Sequence, residues 1–580
     1  KSLDQYTTAN GADITVNARV SVLTNARLVS DGDIRITNGF TAKNGTVLES
    51  KSGITVSGGV LETAGLTLVG GTGSVIVSDT TANSITASAL GNITITDSAT
   101  ITSLNNGTVL LNSSGSNNGS LQVLLTGEGT ALRVGGPISA VDIALVANHG
   151  NVTLSSTDNA SVTAVNSVLL TAGNGSVAVL CPTIATAVGT GHVTVIASDE
   201  INDSSLSNII ADNITLRSTG ARIRLSASGG GLRASNSITL EGKTGVAAMN
   251  GTLLDTRSLV IRAGTGVFNV VSDTSATSIA ASAVGTIEIF ASATGGAGVV
   301  TLRDSSSASS YVLVSLTGLN ESLQVEGAVA GTRVELTSNK GGITMLPSAN
   351  ISGASEVLLT AKNGGIVLGG TTGTTNSGGS VNITASGSIS NSGVTTILAD
   401  AITLRSTAGT IGLTNANLTA TGTMTLDGNA GVSSEAGSLR AALLNLEGGS
   451  GAVSILDASA AALSAISTGS INILNSVSGV GRQVLLRSFA SDRGSIDVTL
   501  SGSNASLVID SAMAAREIKL KANDGSIKQS LSATVRSFDS VTLIAGKGSV
   551  EIVSTISAVA AKTGVVSIVA TGQILGDPII

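Results

Sequence analysis

One segment occurs three times in this chain, at a very long interval. The run DTTANSITASALGNITI from Asp79 returns from Asp273 as DTSATSIAASAVGTIEI, and from Asp457 as DASAAALSAISTGSINI. Other segments keep the same interval. VLLTAGNG from Val168 returns as VLLTAKNG from Val357 and as VTLIAGKG from Val541, and ADNITLRST from Ala211 returns as ADAITLRST from Ala399. Self-similarity at a fixed interval marks arrays and solenoids rather than a set of unrelated domains. It divides the chain into the tail of a unit (1–78), two complete units (79–272 and 273–456) and a partial third (457–580). It also provides an internal control, because chemistry needed once per unit should persist from copy to copy.

Within each unit the local pattern is short and strand-like. Asn92–Thr96, Asn213–Arg217, Ser237–Glu241 and Val381–Ala385 alternate aliphatic residues with Ser, Thr, Asn or charge. Period-two alternation with β-branched residues makes strands with one buried face. Between them lie Asn44-Gly45, Asn106-Gly107, Asn174-Gly175, Asn363-Gly364 and Asp524-Gly525. Such pairs are expected at corners that need a positive φ. No sustained helical periodicity is present, and the Ala-rich Ser511–Ala515 is short. Composition then separates two all-β architectures. A sandwich array needs aromatic anchors, yet aromatics are 1% of the residues while aliphatics and other apolar types reach 42%. That favours a β-solenoid, whose narrow core is filled by stacked Val, Ile, Leu and Ala. The expected fold is all-β, a continuous parallel rod of about 20–24 residues per coil, with eight or nine coils per long unit. At about 4.8 Å per coil the rod would be on the order of 120–140 Å long.

The internal control removes most chemical candidates. His149, His192 and Cys181 align in the next unit with Lys340, Ser380 and Gly370, so no repeated transition-metal site is expected. The acidic group Asp199, Glu200 and Asp203 has the residue types for calcium or paired-carboxylate work. Its counterparts are Gly387, Ser388 and Asn391, which makes a solvated corner the better reading. The loose glycine runs Gly229-Gly230-Gly231 and Gly364-Gly365 open no helix and carry no phosphate-loop Lys. Two histidines that do not recur assemble no Ser-His-Asp triad. Arg217 and Arg405 do recur, and are read as outward charges rather than a polyanion site. The aromatic residues Tyr6, Phe40, Phe268, Phe290, Tyr311, Phe489 and Phe538 are scattered, which weakens lectin, glycosidase and single-strand-binding readings together. Sequons such as those at Asn92, Asn213, Asn382 and Asn504 follow from a chain rich in Asn, Ser and Thr. No cofactor and no catalytic residue is expected.

A net charge of −7 disfavours phosphate-backbone partners. No apolar run reaches the roughly 18 residues of a membrane helix. One cysteine makes no disulfide framework. The lack of an initial Met and of a signal-like segment suggests a piece of a longer array.

The runs Val-Leu-Leu-Thr-Ala-x-Asn-Gly, Ile-Thr-Leu-Arg-Ser-Thr and Gly-x-Val-x-Ile resemble the strand-repeat regions of filamentous-haemagglutinin-like and autotransporter adhesins. That resemblance implies a right-handed parallel β-helix and an exported, elongated bacterial surface or matrix protein. It brings no functional residues. The expected function is therefore structural: an extracellular shaft, stalk, sheath or filament component whose partners are neighbouring copies, end to end or laterally. An adhesive protein reading a cell-surface receptor or polysaccharide along one face is the alternative. A β-helix carbohydrate-active enzyme is the second alternative, with the Asp199 group as its sole candidate.

Overall fold

The structure is a computed structural model that describes residues 2–7, 9–98, 107–156, 159–203, 208–226, 230–249, 251–266, 268–292, 298–319, 321–477, 479, 482–560 and 564–576. Asn106 and Gly229, named above, lie outside these residues. The chain forms a β-solenoid of about 25 turns, all-β and with parallel pairing. It divides into two compact units, Lys1–Ala291 and Ser292–Ile580.

In the first unit, strands beyond the first turn pair with strands one turn away in both directions, as Ser161–Ala172 does. One ladder runs Val168, Val193, Ile214, Ile238, Leu259 and Ile279, with one rung per turn. Most turns carry three strands, as in Val168–Ala172, Val177–Val179 and Thr183–Ala185. Turn length is not constant. The step from Ile93 to Leu121 is wider than any in this ladder, and the step from Val75 to Ile93 is narrower. The expected length of roughly 20–24 residues per coil thus holds for many turns, while corners absorb the difference. Loops on a surface tolerate this because they carry none of the ladder.

The second unit is built alike. Val312, Val334, Val357, Val381, Ile402, Met424, Leu444 and Leu463 form one ladder, again with one rung per turn. Along Ser380–Ala385 every second residue is buried, so Val381, Ile383 and Ala385 face the core while Asn382 and Thr384 face outward. The alternation read from the sequence is this inward–outward pattern. Aliphatics on one ladder lie on aliphatics of the next, and burial of each Val or Leu is worth about 1.5–3 kcal/mol.

Polar residues at the end of the long strand tie one coil to the next. Ala361, Ala385 and Ser406 occupy equivalent rungs. Ser406 Oγ donates to the Gly387 carbonyl at 2.8 Å and accepts the Gly409 N–H at 3.0 Å. Ser491 does the same with Gly469 (2.7 Å) and Gly494 (3.0 Å), and Ser338 with Glu321 (3.0 Å) and Gly341 (3.3 Å). A small residue is required there, and serine satisfies corner groups that alanine leaves to other partners. Ser406→Ala should cost about 1–2 kcal/mol, because a buried donor and acceptor lose their partner. A lowered urea midpoint would show it, and an unchanged midpoint would mean the corner closes equally well without the hydroxyl.

The corners correct one expectation. Gly175, Gly364 and Gly525 do not have positive φ; among the named pairs only Gly107 does, at 63°. Gly45 also lacks positive φ, although Asn44-Gly45 lies where the preceding turn breaks between the strands Val20–Val22 and Asn25–Ser30. It lies inside the strand Phe40–Ser50, at an irregularity in the pairing between Ala42 and Gly45. What selects glycine at the true corners is close stacking. A Cβ on Gly364 would sit 2.6 Å from Gly341, and one on Gly409 2.8 Å from the Gly387 carbonyl carbon. The same holds for Gly494 on Gly469 (2.6 Å) and Gly548 on Gly525 (2.6 Å). Successive corners therefore lie backbone on backbone, nearer than any side chain allows.

The long repeat is out of phase with the winding. Ile93 reaches Ile279 through eight turns, by way of Leu121, Ile143, Val168, Val193, Ile214, Ile238 and Leu259. The sequence, however, matches Ile279 to Ile85, which lies one strand before Ile93. The second unit shows the same offset. Ile366 reaches Val541 in eight turns, through Ile389, Ile411, Val432, Val453, Ile471, Ile496 and Ile518. The sequence match to Val541 is Val357, one strand before Ile366. One repeat is therefore eight turns plus one strand.

Candidate functional site

The histidines and the acidic group named from the sequence do not converge on one another among the described residues. His149 is exposed, and its Nδ1 lies 3.2 Å from Asn174 Nδ2 at the neighbouring corner. His192 opens the strand His192–Ala197 on a different part of the wall. Glu200 Oε1 lies 3.4 Å from Arg222 Nε one turn on, and Asp203 Oδ1 accepts the Ser226 N–H at 2.7 Å. Asp199 contributes its backbone carbonyl to Ser218 Oγ. The carboxylates of Glu200 and Asp203 thus have separate partners, and Asp199 is bonded through its backbone. Among the described residues no group of three His, Cys, Asp or Glu is placed to hold a metal ion.

Cys181 is an inward residue, 2% exposed, and burial pushes its thiol up to about 11. A raised thiol pKa keeps the neutral form, so its contribution to stability is full below about pH 9 and fades as pH rises toward about 11. Alkylation of the folded chain at about pH 8 should be slow, and should match a free thiol only after denaturation. Rapid labelling of the native chain under the same conditions would contradict the burial.

Arg217 and Arg405 both have acidic partners on the following turn. Arg217 Nε is 3.6 Å from Glu241 Oε2, and Glu241 Oε1 receives Arg262 Nη1 at 2.5 Å from the turn beyond. Arg405 Nε is 3.2 Å from Asp427 Oδ2. The same turn-to-turn pairing joins Arg333 to Glu356 and Lys519 to Asp497 on shared rungs, and Arg27 to Glu49 diagonally. These side chains are about half exposed, so each pair is worth roughly 0–1 kcal/mol. Neutralised in this way, Arg217 and Arg405 make poor anion receptors.

A different set of residues does form a receptor-like surface, and it was not singled out in the sequence. In the second unit a cleft of about 610 Å³ is lined by Arg493, Arg516, Arg536, Phe538, Asp492 and Val559, among others. Its floor is a ladder, with Ala490 paired to Ala514, Ala514 to Arg536 and Arg536 to Ser557. Three consecutive turns therefore each place one arginine along the cleft. The pairing shifts between Ala515 and Glu517, so that Phe538 and Asp539 together face Arg516. This bulge turns Phe538 outward; the residue is 59% exposed, whereas Phe40 and Phe489 are buried.

The bulge is rigidly held. The Arg516 N–H donates to the Gly494 carbonyl at 3.1 Å, and Ser537 Oγ donates to the Arg516 carbonyl at 2.7 Å. Arg516 Nε donates to Asp539 Oδ2 at 2.7 Å, a contact that holds the guanidinium above its ordinary pKa. Arg493 and Arg536 are exposed and form no ion pair among the described residues. The signal available in the sequence was spacing: arginines at 493, 516 and 536 fall on three consecutive turns, the last of them two residues short of the register of the second. That spacing acquires meaning only when the length of each turn is known.

No protein-family model, no curated protein and no solved structure matches the chain. Among the described residues no helix is long and apolar enough to cross a membrane.

Proposed function

We propose that the chain is a structural component of a cell surface: a β-solenoid segment of a shaft, stalk, sheath or filament, of the kind found in filamentous-haemagglutinin-like and autotransporter adhesins. The observation that carries this reading is the allocation of residues. In turn after turn, inward positions go to the aliphatic core, corners to backbone stacking and outward charges to pairing with the next turn. Such a wall is extended by adding turns, each contacting only its neighbours. Partners under this reading are other copies, laterally or end to end, and the location is extracellular. The texture of the repeated runs supports the bacterial adhesin comparison. A catalytic role is not part of the proposal.

Immunogold labelling of intact cells of the source tests it. Label on the surface, within shafts or fibres, is the expected result. Label that appears only after permeabilisation would overturn the extracellular assignment.

The adhesive alternative is favoured by one observation, the arginine-lined cleft of the second unit, and its chemistry can be taken further.

A further inference from the structure

We propose that the cleft beside Phe538 binds a linear hexuronate polysaccharide, lying along the stacking direction of the coils. Three features lead there. The first is charge. Arg493 and Arg536 carry no ion-pair partner among the described residues, in a chain whose net charge is −7. Guanidinium forks match carboxylates through two parallel hydrogen bonds. Asp492 at the rim and Asp539 on Arg516 keep the site from being a general polyanion trap.

The second is the exposed ring. Phe538 presents an apolar face beside the cations, held outward by the bulge. A pyranose ring has an apolar C–H face that can lie on an aromatic while its carboxylate, at the ring edge, reaches a guanidinium.

The third is period. Arg493 and Arg536, the two cleft arginines without an ion pair, lie two turns apart, about 9.6 Å along the stack at about 4.8 Å per turn. Two pyranose units have about that length, so a polymer with one carboxylate per sugar can present alternate carboxylates to the two guanidiniums. An extended acidic peptide places same-face side chains about 6.6–6.8 Å apart and falls out of step within two turns. The cleft volume of about 610 Å³ lies in the range of ligand sites.

This inference goes beyond the scaffold role and does not depend on it. An intracellular location would end the surface assignment and leave the binding intact, and absence of binding would leave the scaffold standing. The experiment is titration calorimetry of the full chain with a 1,4-linked galacturonate hexasaccharide, its carboxyl-reduced form and poly-glutamate of equal charge. The expected result is binding of the hexuronate that weakens with salt. Affinity should fall at least tenfold on carboxyl reduction and at least tenfold in R493Q/R536Q. It should fall several-fold in Phe538→Ala and be unchanged in Arg217→Gln. All four substituted side chains are exposed, so matching thermal melts are expected. If the double variant fails to fold, the carboxyl-reduced sugar on the unaltered chain decides. The proposal is overturned by no binding, by equal binding of the reduced sugar, by undiminished binding in R493Q/R536Q, or by tighter binding of poly-glutamate.

Discussion

Ile383→Asp is expected to open the coils on both sides of it. Ile383 is fully buried, paired to Leu359 on one turn and Leu404 on the next. The substitution removes a large aliphatic side chain, which costs about 2–5 kcal/mol by itself. It also buries a carboxylate without a partner, which costs several kcal/mol more or forces the group to take up a proton. A solenoid turn contacts only its neighbours, so damage spreads by nearest-neighbour terms and not through a common core. Native-state hydrogen exchange should show lost protection over Val357–Ala361, Ser380–Ala385 and Ala401–Ser406, with distant turns protected. Thr384→Asp, on the outward side of the same strand, is the control and should leave protection nearly intact. Uniform loss across the chain would mean that the wall unfolds as one cooperative body.

Gly364→Ala is expected to be strongly destabilising. Its Cβ would lie 2.6 Å from the carbonyl carbon of Gly341 and from the Gly342 nitrogen, both backbone atoms that cannot swing aside. Gly387 rests on Gly364 in turn, so a shift is passed on to a third turn. Overpacking of this kind costs about 1–3 kcal/mol and sometimes more. Gly378 offers the contrast: its φ is +81°, and a Cβ there meets nothing within 4 Å. Gly378→Ala should cost only the left-handed backbone term, about 1–2 kcal/mol. Comparing the denaturation midpoints of the two variants separates stacking from backbone conformation. A larger loss for Gly378→Ala would refute stacking as the reason for glycine at position 364.

The strands were legible because they are a local matter. The alternation in Val381–Ala385 specifies which side chains are buried whatever lies above and below. The parallel solenoid was legible from what is missing, since so few aromatics leave a narrow aliphatic core as the remaining solution. The corners were only half legible. Asn363-Gly364 marks a corner correctly, but the reason lies in Gly341 on another turn, a contact with no trace in the local sequence. The arginine cleft was not legible. Arg493, Arg516 and Arg536 sit on different turns, and corner lengths vary enough that no fixed step brings them together. Phe538 read as one scattered aromatic among seven, because its exposure depends on a bulge set by the pairing of Ala515 and Glu517.

The offset of one strand per repeat bears on how such a chain diversifies. Duplicating a segment reproduces its core contacts and its corners, since every face of the wall is built on the same terms. It does not reproduce the compass bearing. A residue at a given place in one copy looks out in a different direction from its duplicate eight turns later, over different neighbours. Lengthening by duplication therefore adds material without enlarging any single face. Each copy's outward residues answer to their own surroundings, while the inward ones remain bound to a common pattern. The acids at 199, 200 and 203, absent from the matching copy, show that freedom, and so does a cleft confined to one bearing of the second unit.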